Sequence, residues 1–154
     1  MLYRIFERST ALNKYFPDII HRRVDYAQYT FRLAPQAFDG LKFPIAVYGK
    51  DGIITGANKY FREVARITQD NIQNRTANLF NLLNNENALL TEAAHNAFDG
   101  KEKVYEGIGR ALCSEPGTIE YLRLEDYPNA IFFPMAIECG GVTLAGILLD
   151  DNKT

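Results

Sequence analysis

Little in this chain points to covalent or metal chemistry. Its 154 residues include two cysteines, too few for a disulfide scaffold and in no metal-ligand spacing. Cys113 and Cys139 are therefore expected as buried small hydrophobes, the usual condition of free cysteine. Neither sign of charge dominates. Seventeen Lys and Arg against 19 Asp and Glu leave a net charge of −2, so no general field draws the chain to phosphate backbones, and clusters such as His21-Arg22-Arg23 are short. Direct nucleic-acid binding is not expected. Long apolar runs are missing as well: Arg4, Glu7 and Arg8 interrupt the first hydrophobic residues, and no run approaches the roughly 20 residues that cross a bilayer. Neither a signal peptide nor a membrane contact is read, and a cytoplasmic location is expected. No nucleophile elbow, phosphate loop, metal-ligand cluster or paired-carboxylate motif stands in a recognisable context. Glu125-Asp126 and Asp150-Asp151 are adjacent pairs, which in a strand point to opposite faces. The expectation is a protein that is not an enzyme.

What the chain does have is one core's worth of apolar residues. With 47% hydrophobic and 23% charged residues, one domain can close but hardly two. Residues 1–40 read as a helical extension and 41–151 as the domain. Leu2, Ile5, Phe6, Leu12 and Phe16 recur at roughly helical spacing and stop at Pro17; Ile20, Val24, Ala27 and Phe31 repeat the pattern toward Ala34-Pro35. Both faces need a partner, either the back of a sheet or the same helices of a second subunit.

The most informative stretch runs from Phe43 to Arg66. A short apolar strand, the turn Lys50-Asp51-Gly52 and a second strand are followed by an amphipathic helix. Asp-Gly between apolar runs is a strong hairpin signal because Gly accepts the positive φ of a tight reversal. Asn58 reads as an N-cap whose side-chain oxygen accepts from the next turn, with Phe61, Val64 and Ala65 on one face behind it. As a cap it should be replaceable by Asp or Ser. Thr68 can cap a turn at 69–72, Leu79–Leu83 gives a short apolar segment, and a longer helix from Glu86 to about Phe98 ends at Gly100. Ala-Phe-Asp-Gly occurs at 37–40 and again at 97–100, too short a match to mean duplication.

The last third is rich in strands: Val104–Leu112, Ile119–Asp126, Ala130–Glu138 and Val142–Leu149, the final two joined at Gly140-Gly141. Val142–Leu149 is apolar on both faces, which places it in the middle of a sheet covered by helices on both sides.

Strand, Asp-Gly turn, strand, Asn and helix, followed by short helices and a closing antiparallel group, resembles a PAS domain, a sensory and dimerisation module of bacterial signalling proteins. The resemblance runs from about Phe43 to Asp150. It implies an α+β fold, a five-stranded antiparallel sheet with short helices on one face, and Ser114–Asn129 leaves room for a sixth strand. The ending Leu148-Leu149-Asp150-Asp151 resembles the junction where PAS domains pass into an output module. None follows, so the chain is either a piece of a longer protein or signals by association. PAS domains that bind a photoactive flavin carry a Cys where this chain reads Asn74–Asn81, so no flavin adduct is expected. Haem-binding relatives carry a His about three turns before the Gly ending the long helix, near Leu89 here, whereas His95 lies about one turn before Gly100. His95 is expected on the surface, without haem.

A ligand pocket between the long helix and the inner sheet face is expected where Tyr105, Gly107, Gly109 and Ala111 leave little side-chain volume, with Asn58, Tyr105 and Arg110 as its polar groups. Tight packing of the helix on those glycines is the alternative. The functional expectation is a sensor that binds a small molecule or protein partner and relays a change through homodimer geometry to an output module. A ligand-free dimerisation module is the second reading, and a small cone-shaped α+β enzyme the third.

Overall fold

The computed structural model describes residues 5–7, 18–83, 88–106 and 129–150. In chain order the elements are β1 (Ile5–Glu7), α1 (Asp18–Leu33), a 3-10 turn (Pro35–Gly40), β2 (Ile45–Tyr48) and β3 (Ile54–Ala57). Then come α2 (Lys59–Ala65), α3 (Gln69–Gln73), α4 (Leu79–Leu82), α5 (Ala88–Asn96), a second 3-10 turn (Ala97–Asp99), β4 (Lys103–Glu106), β5 (Asn129–Glu138) and β6 (Gly141–Asp150). The strands form one antiparallel sheet in the order β1-β4-β5-β6-β2-β3.

The β2–β3 hairpin closes as its Asp-Gly pair requires. Gly49 N–H donates to Ile53 O at 3.0 Å and Gly52 N–H to Gly49 O at 2.9 Å, while Asp51 Oδ1 accepts from Ile53 N–H. Gly52 has φ +85, and a Cβ there would lie 2.5 Å from the Phe80 ring. The free edge of β3 is covered by residues 77–79: Ile54 N–H donates to Ala77 O and Leu79 N–H to Gly52 O.

Helix starts fall on residues able to cap them. Asn58 caps α2, Thr68 and Asn71 form a reciprocal capping box at α3, and Asn78 caps α4. Gly100, at φ +82, ends the turn after α5. Both Ala-Phe-Asp-Gly copies lie in 3-10 turns, but Phe38 packs with one core cluster and Phe98 with the other.

Strand alternation divides the apolar residues between two cores. Ala46, Tyr48, Ala130, Phe132, Ile147 and Leu149 face α2 to α5 with Phe61, Leu79 and Ala94. Ile45, Val47, Ile131, Phe133 and Leu148 face the other way, where Val24, Ala27 and the half-buried Phe31 of α1 cover them. The two-faced β6 thus sits in the middle of a doubly covered sheet, as its sequence implied. Gly146 leaves the space that Phe133 fills; a Cβ there would stand 2.7 Å from Phe133 Cζ.

Three local expectations change. Ile5–Glu7, expected within a helix, is a strand paired with β4 through Ile5↔Tyr105 to Glu7↔Lys103. Three apolar-to-charged residues fit either period, and the unpaired edge of β4 decides between them. The sixth strand is therefore β1; the one expected in Ser114–Asn129 lies outside the described residues apart from Asn129, the first residue of β5. The last hairpin turns at Cys139-Gly140, with φ +51 and +81, and Gly141 is already strand. Two positive φ values match the right-handed strand twist. Cys139 is consequently exposed rather than buried; Cys113 lies outside the described residues.

Candidate functional site

Side chains fill the part of the interior beneath α2 to α5 that the described residues line, whereas the pocket expected against Gly107, Gly109 and Ala111 falls outside the described residues. Tyr48, Phe61, Phe132, Leu79 and Leu83 are all fully buried. Tyr48 Oη donates to the Ala94 carbonyl of α5 at 2.7 Å, and its ring meets Phe80 and Phe98 edge-on at 6.2 and 5.6 Å. Burial pushes the Tyr48 phenol well above its ordinary pKa, so it remains a protonated donor clamping α5 to β2.

Asn58 is fully buried and has its amide engaged on both sides. Oδ1 accepts from Phe61 N–H at 3.0 Å and from Ile45 N–H at 3.1 Å. Nδ2 donates to Leu41 O at 3.0 Å and Phe43 O at 2.7 Å. Two donors and two acceptor positions are the full capacity of a side-chain amide. Asn58 therefore joins the start of α2 to the entry of β2, and the geometry leaves that amide no position for a ligand.

Tyr105 lies in β4, its Cα opposite Ala130 and Ile5. Crossing the sheet from Tyr105, the row runs through Ala130 and Leu149 to Pro44, whose carbonyl accepts from Leu149 N–H. Those three strand spacings amount to roughly 14 Å, with Asn58 beyond them. The Tyr105 backbone thus stands three strands away from Pro44, and Arg110, with Gly107, Gly109 and Ala111, lies outside the described residues. His95 is exposed, its ring 4.3 Å from that of Phe80.

Two features on the α1 side were not read from the sequence. Arg23 Nη1 bonds Asp150 Oδ1 at 2.9 Å, the Asp150 side chain being 3% exposed, and the Arg23 guanidinium lies 5.6 Å from the centre of the Phe43 ring. This pair ties α1 to the last residue of β6. The second is a half-open cleft of about 810 Å³ between the C-terminal half of α1, residues 100–102 and the outer half of β5. Gln28 Nε2 reaches across to donate to Pro134 O at 2.7 Å. Its volume falls in the range of small-molecule and peptide sites.

The described residues contain no group of His, Cys, Asp and Glu able to hold a metal ion, and no helix among them is long and apolar enough to cross a membrane.

No family profile and no curated relative matches the chain. Among solved structures it is similar to the crystal structure of a sensory box sensor histidine kinase from Vibrio cholerae, with a TM-score of 0.50 and 14% identity, covering 84% of this chain and 95% of that one. What the two share is the fold, a PAS-like α+β arrangement of an antiparallel sheet with short helices on one face.

Proposed function

We propose that this chain is a sensory domain of a signalling protein, cytoplasmic and non-catalytic, that binds a small molecule or protein partner and passes the change to an output through dimer geometry. The observation that carries this reading is the fold shared with nearly the whole of a sensory box kinase chain. The dimer is supported by α1: Tyr26, Tyr29 and Leu33 are 58%, 56% and 58% exposed, and their i, i+3, i+7 spacing makes a coiled-coil-like seam opposite the face that covers the sheet. Fold alone does not fix function, so the input must be sought in a site.

A second reading, a ligand-free dimerisation or protein-interaction module, is favoured by the filled interior around Tyr48 and Phe132. Native mass spectrometry of the purified chain separates the two. A dimer carrying retained small-molecule mass supports the sensor; a dimer of apo mass supports the second reading. A monomer at all concentrations with no retained mass removes both. Tyr26→Glu with Tyr29→Glu should convert the dimer to monomer in sedimentation velocity.

A further inference from the structure

We infer that α1 pairs with the α1 of a second copy of this chain in antiparallel orientation, a direction selected by its charges; this rests on the dimer of the sensor reading and fixes that dimer's geometry. Four exposed residues, Arg22, Tyr26, Tyr29 and Leu33, follow one another at steps of four, three and four, the spacing of a continuous coiled-coil seam. The residues that cover the sheet, Val24, Ala27 and Phe31, lie on the opposite side of the helix.

Pairing direction decides what each seam residue meets. In a parallel, in-register pair every seam residue faces its own copy, so Arg22 would stand against the partner's Arg22, a like-charge contact that disfavours the arrangement. An antiparallel pair centred near Tyr29 instead brings the two Tyr29 residues together and sets Tyr26 beside the partner's Leu33. Arg22 is then carried to the level of residues 35–37, Pro-Gln-Ala, which bear no charge.

The flanks of the seam point the same way. Asp25 and Arg32 are both exposed and lie along one flank, seven residues or about 10.5 Å apart. The other flank holds Arg23, bound to Asp150, and the buried Thr30. Antiparallel helices bring like flanks together, so each Asp25 meets the partner's Arg32 and one pair of residues makes two ion pairs. Parallel helices bring opposite flanks together and leave Asp25 facing the partner's Thr30. Asp25 also interacts within its own chain, and a carboxylate has acceptor positions for a second donor. Because Arg23 holds the end of β6, antiparallel pairing sets the two β6 ends roughly 16 Å apart along the helix axis.

Two measurements on the full chain test the direction. Asp25→Arg and Arg32→Asp should each raise the dimer dissociation constant about fivefold in sedimentation velocity, since each breaks both ion pairs. The double variant should recover the wild-type constant, and an equimolar mixture of the two single variants should form mainly heterodimer in native mass spectrometry. Disulfide trapping then reads the geometry. With Cys113→Ser and Cys139→Asn removing the native thiols, Tyr26→Cys and Leu33→Cys should each cross-link poorly alone and readily when mixed, because a disulfide needs Cα atoms within about 7 Å. Efficient cross-linking of Tyr26→Cys to itself, or no heterodimer preference in the charge-swap mixture, overturns the antiparallel arrangement and leaves the dimer standing. If the cysteine variants do not dimerise, the charge-swap mixture decides alone. A wild-type chain that is monomeric at all concentrations removes this inference and the dimer together.

Discussion

Asn58 and Ile45 exchange two hydrogen bonds: Asn58 Oδ1 accepts from Ile45 N–H at 3.1 Å, and Asn58 N–H donates to Ile45 O at 3.1 Å. With Nδ2 bound to Leu41 and Phe43, the residue that starts α2 also fixes where β2 begins.

The consequence for substitution differs from that of a simple cap. Asn58→Ala leaves Ile45 N–H, Phe61 N–H and two carbonyls without their partner, and should cost more than about 2 kcal/mol in urea unfolding. Ser should recover part of this as an acceptor. Asp should be no better than Ala at pH 7, because its carboxylate would face the Leu41 and Phe43 carbonyls. Those carbonyls raise the carboxyl pKa in the folded state, so the Asn58→Asp variant should gain stability as pH falls toward 5. Asp matching wild type at pH 7 would return Asn58 to an ordinary cap.

Tyr48 gives the chain an alkaline limit. Its phenol is raised in the folded state from an ordinary value of 10.0, so the stability it contributes is present below pH 10. Above that pH the unfolded chain ionises while the folded one does not, and stability falls. Tyr48→Phe should cost about 1 kcal/mol at pH 7 by losing the bond to Ala94. The same variant should decline less steeply between pH 9.5 and 11. An unchanged alkaline slope would mean that other tyrosines dominate it.

Gly146 and Phe133 should behave as a coupled pair. Gly146→Ala forces a Cβ against the Phe133 ring and should cost roughly 1–3 kcal/mol by overpacking. Phe133→Leu should be destabilising alone and relieve part of the Gly146→Ala penalty, giving a favourable coupling in a double-mutant cycle. Additive effects would show that the ring moves aside freely.

Cys139 occupies a left-handed position for which Asn is the better residue. Cys139→Asn, creating Asn-Gly at the turn, should stabilise the chain by up to about 1 kcal/mol, and Cys139→Val should destabilise it. Thermal unfolding under reducing conditions reads both. A melting point lowered by Asn would contradict the turn geometry.

Local chemistry made much of the fold legible. Asp51-Gly52, the caps at Asn58 and Thr68, and the two-faced apolar pattern of β6 are each decided within a few residues, and the structure realises them. What stayed hidden depends on distant partners. Ile5–Glu7 becomes a strand because β4 has an edge to pair, and nothing within three residues announces that. Asn58 announces its acceptor role to Phe61, but its donor role depends on Leu41 and Phe43 lying beside it after folding. The cleft arises from unequal strand lengths, since β5 outruns β4, and strand ends are poorly marked in sequence. Of the expected site residues, Asn58 has its amide engaged by four backbone groups, Tyr105 is placed only by its backbone in β4, and Arg110 lies outside the described residues.

The Arg23–Asp150 pair has a mechanical meaning. Asp150 is where β6 ends, and its carboxylate is pinned to the first half of α1 across 127 residues of sequence. Any chain joined after Asp150 would leave the domain from an anchor shared with the helix rather than from a free sheet corner. The end of β6 and the first half of α1 are thus held at one shared point.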